Sequence, residues 1–177
     1  MHTILNFWFE ELSPAQWWRV DPDLDKTISD RFGETHRAAH AGELFEWRVS
    51  PEGRLAEIIV LDQFSRNIHR GTPLAFACDP MALALAQEAV RTGADQTLPA
   101  QHRAFLYMPY MHSESAVIHR LAEPLFRTMA PEANHQAELK HKAIIDRFGR
   151  YPHRNAILGR TSTPEELDFL QQPGSSF

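Results

Sequence analysis

Five of the chain's prolines follow a residue that reads as a helix N-cap: Ser13-Pro14, Asp21-Pro22, Ser50-Pro51, Asp79-Pro80 and Thr163-Pro164. An oxygen at the N-cap satisfies an orphan amide of a helix's first turn, and proline at the first helical position has no amide to lose. Each pair therefore reads as a helix start. Gln16 and Glu166 lie three residues after Ser13 and Thr163, the spacing of a capping box. Between the starts the apolar spacing is helical, and no segment alternates as a strand does.

The pattern predicts helices over 3–11, 14–19, 22–41, 51–65, 80–92, 99–109, 113–129, 133–148 and 164–171. Gly42 and Gly93 stand where helix ends want a left-handed residue. Pro124 falls inside the seventh helix and is expected to kink or divide it. The connections 66–78 and 149–162 are long, and the tail 171–177 reads as frayed. The expected fold is all-α, a single domain over 1–177 built of antiparallel helical hairpins, with an aromatic share of the core from Phe7, Trp8, Phe9, Trp17, Trp18 and Trp47.

Composition narrows the function classes. A formal charge of −5 argues against a nucleic-acid binder. No run approaches the ~20 apolar residues of a bilayer span, and Met1-His2-Thr3-Ile4 does not open a signal sequence. A lone Cys78 excludes an internal disulfide framework and a cysteine-rich zinc site. A cytoplasmic protein is expected, with no nucleic-acid or membrane partner and no metal or cofactor. The oligomeric state is left open.

The chemistry gathers in the two long connections. Arg147, Arg150, Arg154 and Arg160 fall within fourteen residues, together with His153 and Asn155. Arg66, Asn67 and Arg70 form a shorter echo. Guanidinium groups so close repel one another unless acids or a bound anion lie among them, and their forked donors suit carboxylate or phosphate. Three ionisable groups also lie on apolar helical stripes. Asp62 follows Leu55, Ile58 and Ile59, with Arg66 four residues on; Glu114 leads Ile118, Leu121 and Leu125; His141 accompanies Ala137, Ile144, Ile145 and Phe148. A buried carboxylate costs several kcal/mol unless paired, so a shared internal polar cluster is expected. Each group also has a plainer reading: Glu114 as a helix-terminal charge, His141 as a satisfied core histidine, Asp62 and Arg66 as a structural lock.

The runs Gly53-Arg54-Leu55-Ala56 and Leu61-Asp62-Gln63-Phe64-Ser65-Arg66-Asn67, then Ala75-Phe76-Ala77-Cys78-Asp79, resemble the bacterial family numbered 924 among domains of unknown function. So do Phe105 to Pro109, His112-Ser113-Glu114, His141 to Asn155 and Leu158 to Glu166. The resemblance implies an all-helical fold similar to the right-handed array of tetratricopeptide-repeat proteins, and brings no activity. Three positions depart from the family pattern: Ser65 stands for proline, Tyr151 for phenylalanine and His119 for glutamine.

Three functions compete. The first is a small anionic ligand, carboxylate or phosphate, held by Arg66, Asn67, Arg70, Arg147, Arg150, Arg154, Asn155 and Arg160, with Asp62 and Glu114 orienting the arginines and His112, His141 and His153 beside them. The second is a scaffold that grips a protein or peptide partner, the arginine loops being structural. The third is a hydrolase using His112, Glu114, His141 or His153 as acid, base or metal ligand. Against the third, no HExxH helix, no nucleophile elbow and no phosphate-gripping glycine loop occurs.

Overall fold

Asp21, Ser50 and Thr163 do cap helices: their side chains accept from the amides of Asp23 and Leu24, of Gly53, and of Glu166. Thr163 and Glu166 complete a capping box. The structure, a computed structural model, describes residues 1–176 of the chain. Its helices are α1 (His2–Asn6), α2 (Pro22–His40), α3 (Pro51–Ile59), α4 (Ser65–Ile68), α5 (Asp79–Arg91), α6 (Ala100–Met111), α7 (Ala116–Met129), α8 (Glu132–Phe148) and α9 (Pro164–Leu170). Short 3-10 turns fill several connections, and no strand occurs among the described residues. Gly42 and Gly93 take left-handed backbone just past α2 and α5.

The other two pairs behave differently. Ser13 is followed only by a 3-10 turn, Gln16–Trp18, in place of the expected helix over 14–19. The Gln16 carboxamide accepts from the Ser13 amide and hydroxyl, and the Trp17 indole is anchored on the Trp8 carbonyl. Asp79 is the first residue of α5 and makes no cap; Cys78 holds that position. Its carboxylate has another use, described below.

Two further expectations need correction. α7 runs unbroken through Pro124, whose missing amide orphans the carbonyl of Arg120, an exposed residue. The stripe led by Glu114 is also incomplete, because α7 starts at Ala116 and Leu121 is exposed. The third helix continues past 65: α3 passes through a π-helical turn, Val60–Phe64, into α4. A π turn inserts one extra residue and is frequent at functional sites.

α3 with this turn is the central element, as its all-round apolar sequence predicts. Leu55, Ile58, Ile59, Val60, Leu61 and Phe64 are wholly buried. α3 packs on α5 and α6, α2 lies across α4 and the π turn, and α6, α7 and α8 pack in succession. Phe7 and Trp8 enter this core, whereas Trp18 is 58% exposed and packs on Phe105 and Trp17. Residues 171–176 close in turns, with Ser175 buried; Phe177 lies outside the described residues. Among the described residues, no helix is long and apolar enough to cross a membrane.

Candidate functional site

The π turn points Asp62 into the protein, where it is 1% exposed. One carboxylate oxygen meets two donors: Nδ1 of His112 at 2.7 Å and Nη1 of Arg66 at 3.0 Å. The Gln63 side chain donates to the other oxygen. These donors hold the Asp62 carboxyl well below the usual range despite its burial. Asp62 is therefore ionised, and His112 must carry its hydrogen on Nδ1. The ring's other nitrogen, Nε2, is then a bare acceptor, and no hydrogen bond engages it among the described residues. Burial and the Arg66 charge keep the His112 ring below its ordinary pKa. Its side chain is 12% exposed, so it borders solvent.

Arg66 turns from Asp62 to Asp79, which accepts at 2.9 and 3.0 Å. The second long connection arrives at the same carboxylate. Gly149 ends α8 with left-handed backbone, and a 3-10 turn, Pro152–Arg154, follows. It carries Arg154 inward to 5% exposure. Arg154 donates to Asp79 at 3.3 Å and to the His112 carbonyl at 3.1 Å. Its guanidinium lies between the rings of Phe76, 4.5 Å away, and Tyr151, 4.7 Å away. Its Nε is buried without a hydrogen-bond partner. Burial and Arg66 together lower its pKa.

Tyr151, wholly buried, organises the rest. Its amide donates to Glu114 at 2.7 Å and its carbonyl accepts from Arg160. Its hydroxyl donates to the Met111 carbonyl and meets His119 Nε2 at 3.1 Å. His141 and His153 rings lie 5.8 and 5.7 Å from the Tyr151 ring, and His112 is 6.4 Å from His141. Burial pushes His141 down to about 3 and His153 to about 4, so both are neutral imidazoles near pH 7. Asp62, Glu114 and His141 thus surround one polar centre, linked through His112 and Tyr151.

Beneath it, His119 and Glu138 are both 0% exposed and 2.7 Å apart. His119 Nε2 lies 2.9 Å from the Ser113 carbonyl, to which only an N–H can bond. The second ring nitrogen therefore shares one proton with Glu138. Burial raises the Glu138 carboxyl, His119 only partly opposing it, and the second carboxyl oxygen has no partner. His119 and Tyr151 touch each other here. Ser65 is also buried and donates to the Leu61 carbonyl.

Of the remaining candidates only Arg160 reaches this centre, through Glu114 and the Tyr151 carbonyl. Asn67 and Arg70 turn away to Asp25 on α2, the arginine at 2.6 and 2.8 Å. Arg147 pairs with Glu165 at the surface. Arg150 and Asn155 both donate to Glu166 on α9, and Arg160 grips Glu114 at 2.6 and 2.8 Å. Acids do lie among the guanidinium groups, as their spacing requires. The six loop arginines, Arg66, Arg70, Arg147, Arg150, Arg154 and Arg160, meet six carboxylates: Asp62, Asp79, Asp25, Glu165, Glu166 and Glu114. Asp79 is the member that sequence reasoning missed. It looked like a helix cap, and only its place in a quoted motif beside Phe76 and Cys78 marked it. Glu138 carried no such signal.

A concavity of about 410 Å3 lies elsewhere. It lies on the outer face of α7 and α8, between Arg120, Glu123, Leu139 and Lys142. No group of three or more His, Cys, Asp or Glu among the described residues is placed to hold a metal ion. The chemistry of the central cluster is that of charge pairs around one accessible imidazole edge.

A search of curated proteins finds no match. Among solved structures, the chain is similar to one described as a protein of unknown function, ATU0120, from Agrobacterium tumefaciens. The two share 40% sequence identity over 96% of each chain, with a TM-score of 0.90. Residues 4–174 match the family described as bacterial protein of unknown function, DUF924. The chain belongs to that family.

Proposed function

We propose that the protein binds a small anionic molecule, a carboxylate or phosphate, at the His112 edge of the central cluster. The observation that carries this reading is the fixed polarity of His112. Asp62 holds Nδ1–H and leaves Nε2 with a lone pair; Arg66 shares the Asp62 carboxylate with the ring, and Arg154 bonds the His112 backbone carbonyl. The inner charges already balance, Asp62 and Asp79 against Arg66 and Arg154. An arriving anion is therefore neutralised by protonation of His112, which burial and Arg66 hold neutral in the empty site. Binding and proton uptake are one event.

Calorimetric titration with inorganic phosphate and with succinate, in buffers of different ionisation enthalpy, tests this at pH 7.5. The expected result is uptake of close to one proton per anion bound, lost in His112→Gln. Binding without proton uptake, or equal binding by His112→Gln, overturns it.

The same Asp62–His112 pair favours a second reading, general-base catalysis by Nε2. Glu114 takes no part in it, since Arg160 and the Tyr151 amide occupy both its oxygens. We read the succession α6, α7 and α8 as a tetratricopeptide-repeat-like right-handed array in a cytoplasmic protein. The scaffold reading would use the outer face of α7, where Val117 and Leu121 are exposed.

A further inference from the structure

A second set of imidazoles lines a cavity of about 200 Å3. His36, Arg37 and His40 of α2 form one side, and His69, Leu74 and Cys78 form the other. None of these residues takes part in the central cluster.

The hydrogen positions in its floor follow from the bonding. His36 is 6% exposed, and its Nε2 lies 2.8 Å from the Ser65 hydroxyl. Ser65 gives its single proton to the Leu61 carbonyl at 2.6 Å. Its oxygen can then only accept from the ring, so the hydrogen is on His36 Nε2. Desolvation and the neighbouring His69 and His40 push His36 down to about 4, which keeps the ring neutral. Nδ1 is thus a bare acceptor. No donor engages it among the described residues, and the ring lines the cavity. A neutral ring whose acceptor faces the cavity takes its donor from there, water in the free protein or the hydroxyl of a bound molecule.

The rest of the lining defines that visitor further. Burial raises the Cys78 thiol, which lies 3.1 Å from His40 Nδ1, so this wall presents no anion. Leu74 is an apolar wall, 56% exposed. Arg37 stands at the open side. Among the described residues its only carboxylate partner is Glu34, at the exposed surface, so most of its five N–H donors stay available. The lining therefore runs from a deep acceptor past apolar surface to a cation.

We propose that this cavity is a second binding site, for a compact hydroxycarboxylate whose hydroxyl donates to His36 Nδ1 and whose carboxylate reaches Arg37. A ligand with an anionic end but no donor leaves His36 unsatisfied. Discrimination between the two rests on one buried hydrogen bond, which is worth about tenfold in affinity.

The test uses 4-hydroxybenzoate, whose hydroxyl and carboxylate lie at opposite ends of a rigid apolar ring. The whole chain, with 15N-labelled histidine, is titrated at pH 7.5 and the ring nitrogens are followed by NMR. Saturable movement of the His36 Nδ1 resonance is expected, with benzoate binding about tenfold more weakly. Arg37→Gln, a change at an exposed position that leaves the core intact, should weaken 4-hydroxybenzoate and leave the thermal unfolding of the free protein unchanged. Equal binding of the two acids, no movement at His36 up to the solubility limit, or movement confined to His112 overturns the proposal. The last result would place the acid at the central site.

Discussion

The two long connections, 66–78 and 149–162, begin alike and end differently. Each follows an apolar helix, and each sends one arginine to Asp79: Arg66 from the first, Arg154 from the second. The first then leaves the centre, Asn67 and Arg70 closing on Asp25 of α2. The second stays, doubling back so that Arg160 grips Glu114 and Arg150 ties the loop to Glu166. Residue type does not separate an inner arginine from an outer one, because all six have carboxylate partners. Burial does. The Arg154 side chain is 6% exposed, and that of Arg70 38%. Surface pairs contribute ~0–1 kcal/mol, whereas breaking a buried pair costs about 3–5 kcal/mol because an unpaired charge stays inside.

The largest expected effect follows at the point where the loops meet. Asp79→Ala leaves Arg66 and Arg154 facing each other without their shared carboxylate. A loss of about 3–5 kcal/mol is expected, which for a domain of this size lowers Tm by roughly 10 °C. Asp25→Ala in the outer branch should cost about 1 kcal/mol, since its arginine is largely hydrated. Denaturant unfolding of the two variants measures both. Equal losses would mean that the distinction between inner and outer pairs is wrong.

This comparison also shows what the residues could and could not reveal. Helices were legible because caps, prolines and apolar spacing are local, so α2, α3, α5, α8 and α9 start within a few residues of their predicted places. The inward turn of Asp62 was legible for the same reason, as the next residue of a buried stripe. Partnership was not. Arg66 has Asp62 four residues away and shares it, yet takes its bidentate bonds from Asp79, thirteen residues on, across a loop. Asp79-Pro80 has the form of a cap, and nothing local says that a cap has been replaced by an ion pair. The π turn at Val60–Phe64 was hidden too, because it shifts register by one residue without changing composition.

Acid probes the two branches through their histidines. His153 belongs to the second connection and is held at about 4; His36 packs against the first and is also held at about 4; His141, between them and the core, is at about 3. Each folded value lies below the unfolded one of about 6.5, so the unfolded chain binds the extra proton. The stability each contributes is complete above pH 6.5 and is lost as pH falls toward 4 and below. The slope reaches about 1.4 kcal/mol per pH unit for each group. Glu138 acts with the opposite sign, because its folded pKa is raised: its contribution is present at low pH and fades as pH rises through the folded value. Stability should therefore drop steeply between pH 6 and pH 4, with net proton uptake on unfolding. Unfolding curves across this range measure it, and ring titrations should show His36, His141 and His153 still neutral at pH 5.5. A midpoint above 6 for any of them would remove it from the buried set.

The smallest effect belongs to Arg147, which by sequence is indistinguishable from Arg150, Arg154 and Arg160 in its cluster. Its pair with Glu165 is bidentate on one oxygen, at 3.0 and 2.8 Å, but the side chains are 46% and 64% exposed. Coulomb attraction at that exposure is screened by water and salt. What remains is packing: the guanidinium lies 4.6 Å from the Phe148 ring and 5.8 Å from that of Phe169, joining α8 to α9. An exposed cation over an aromatic face is worth about 0.5–1 kcal/mol. Arg147→Met keeps an apolar stem on both rings and should cost less than about 0.5 kcal/mol, whereas Arg147→Asp, which repels Glu165 and uncovers the rings, should cost about 1–2 kcal/mol. If methionine is as damaging as aspartate, the charge matters more than the contact, and Arg147 joins the inner arginines in spite of its exposure.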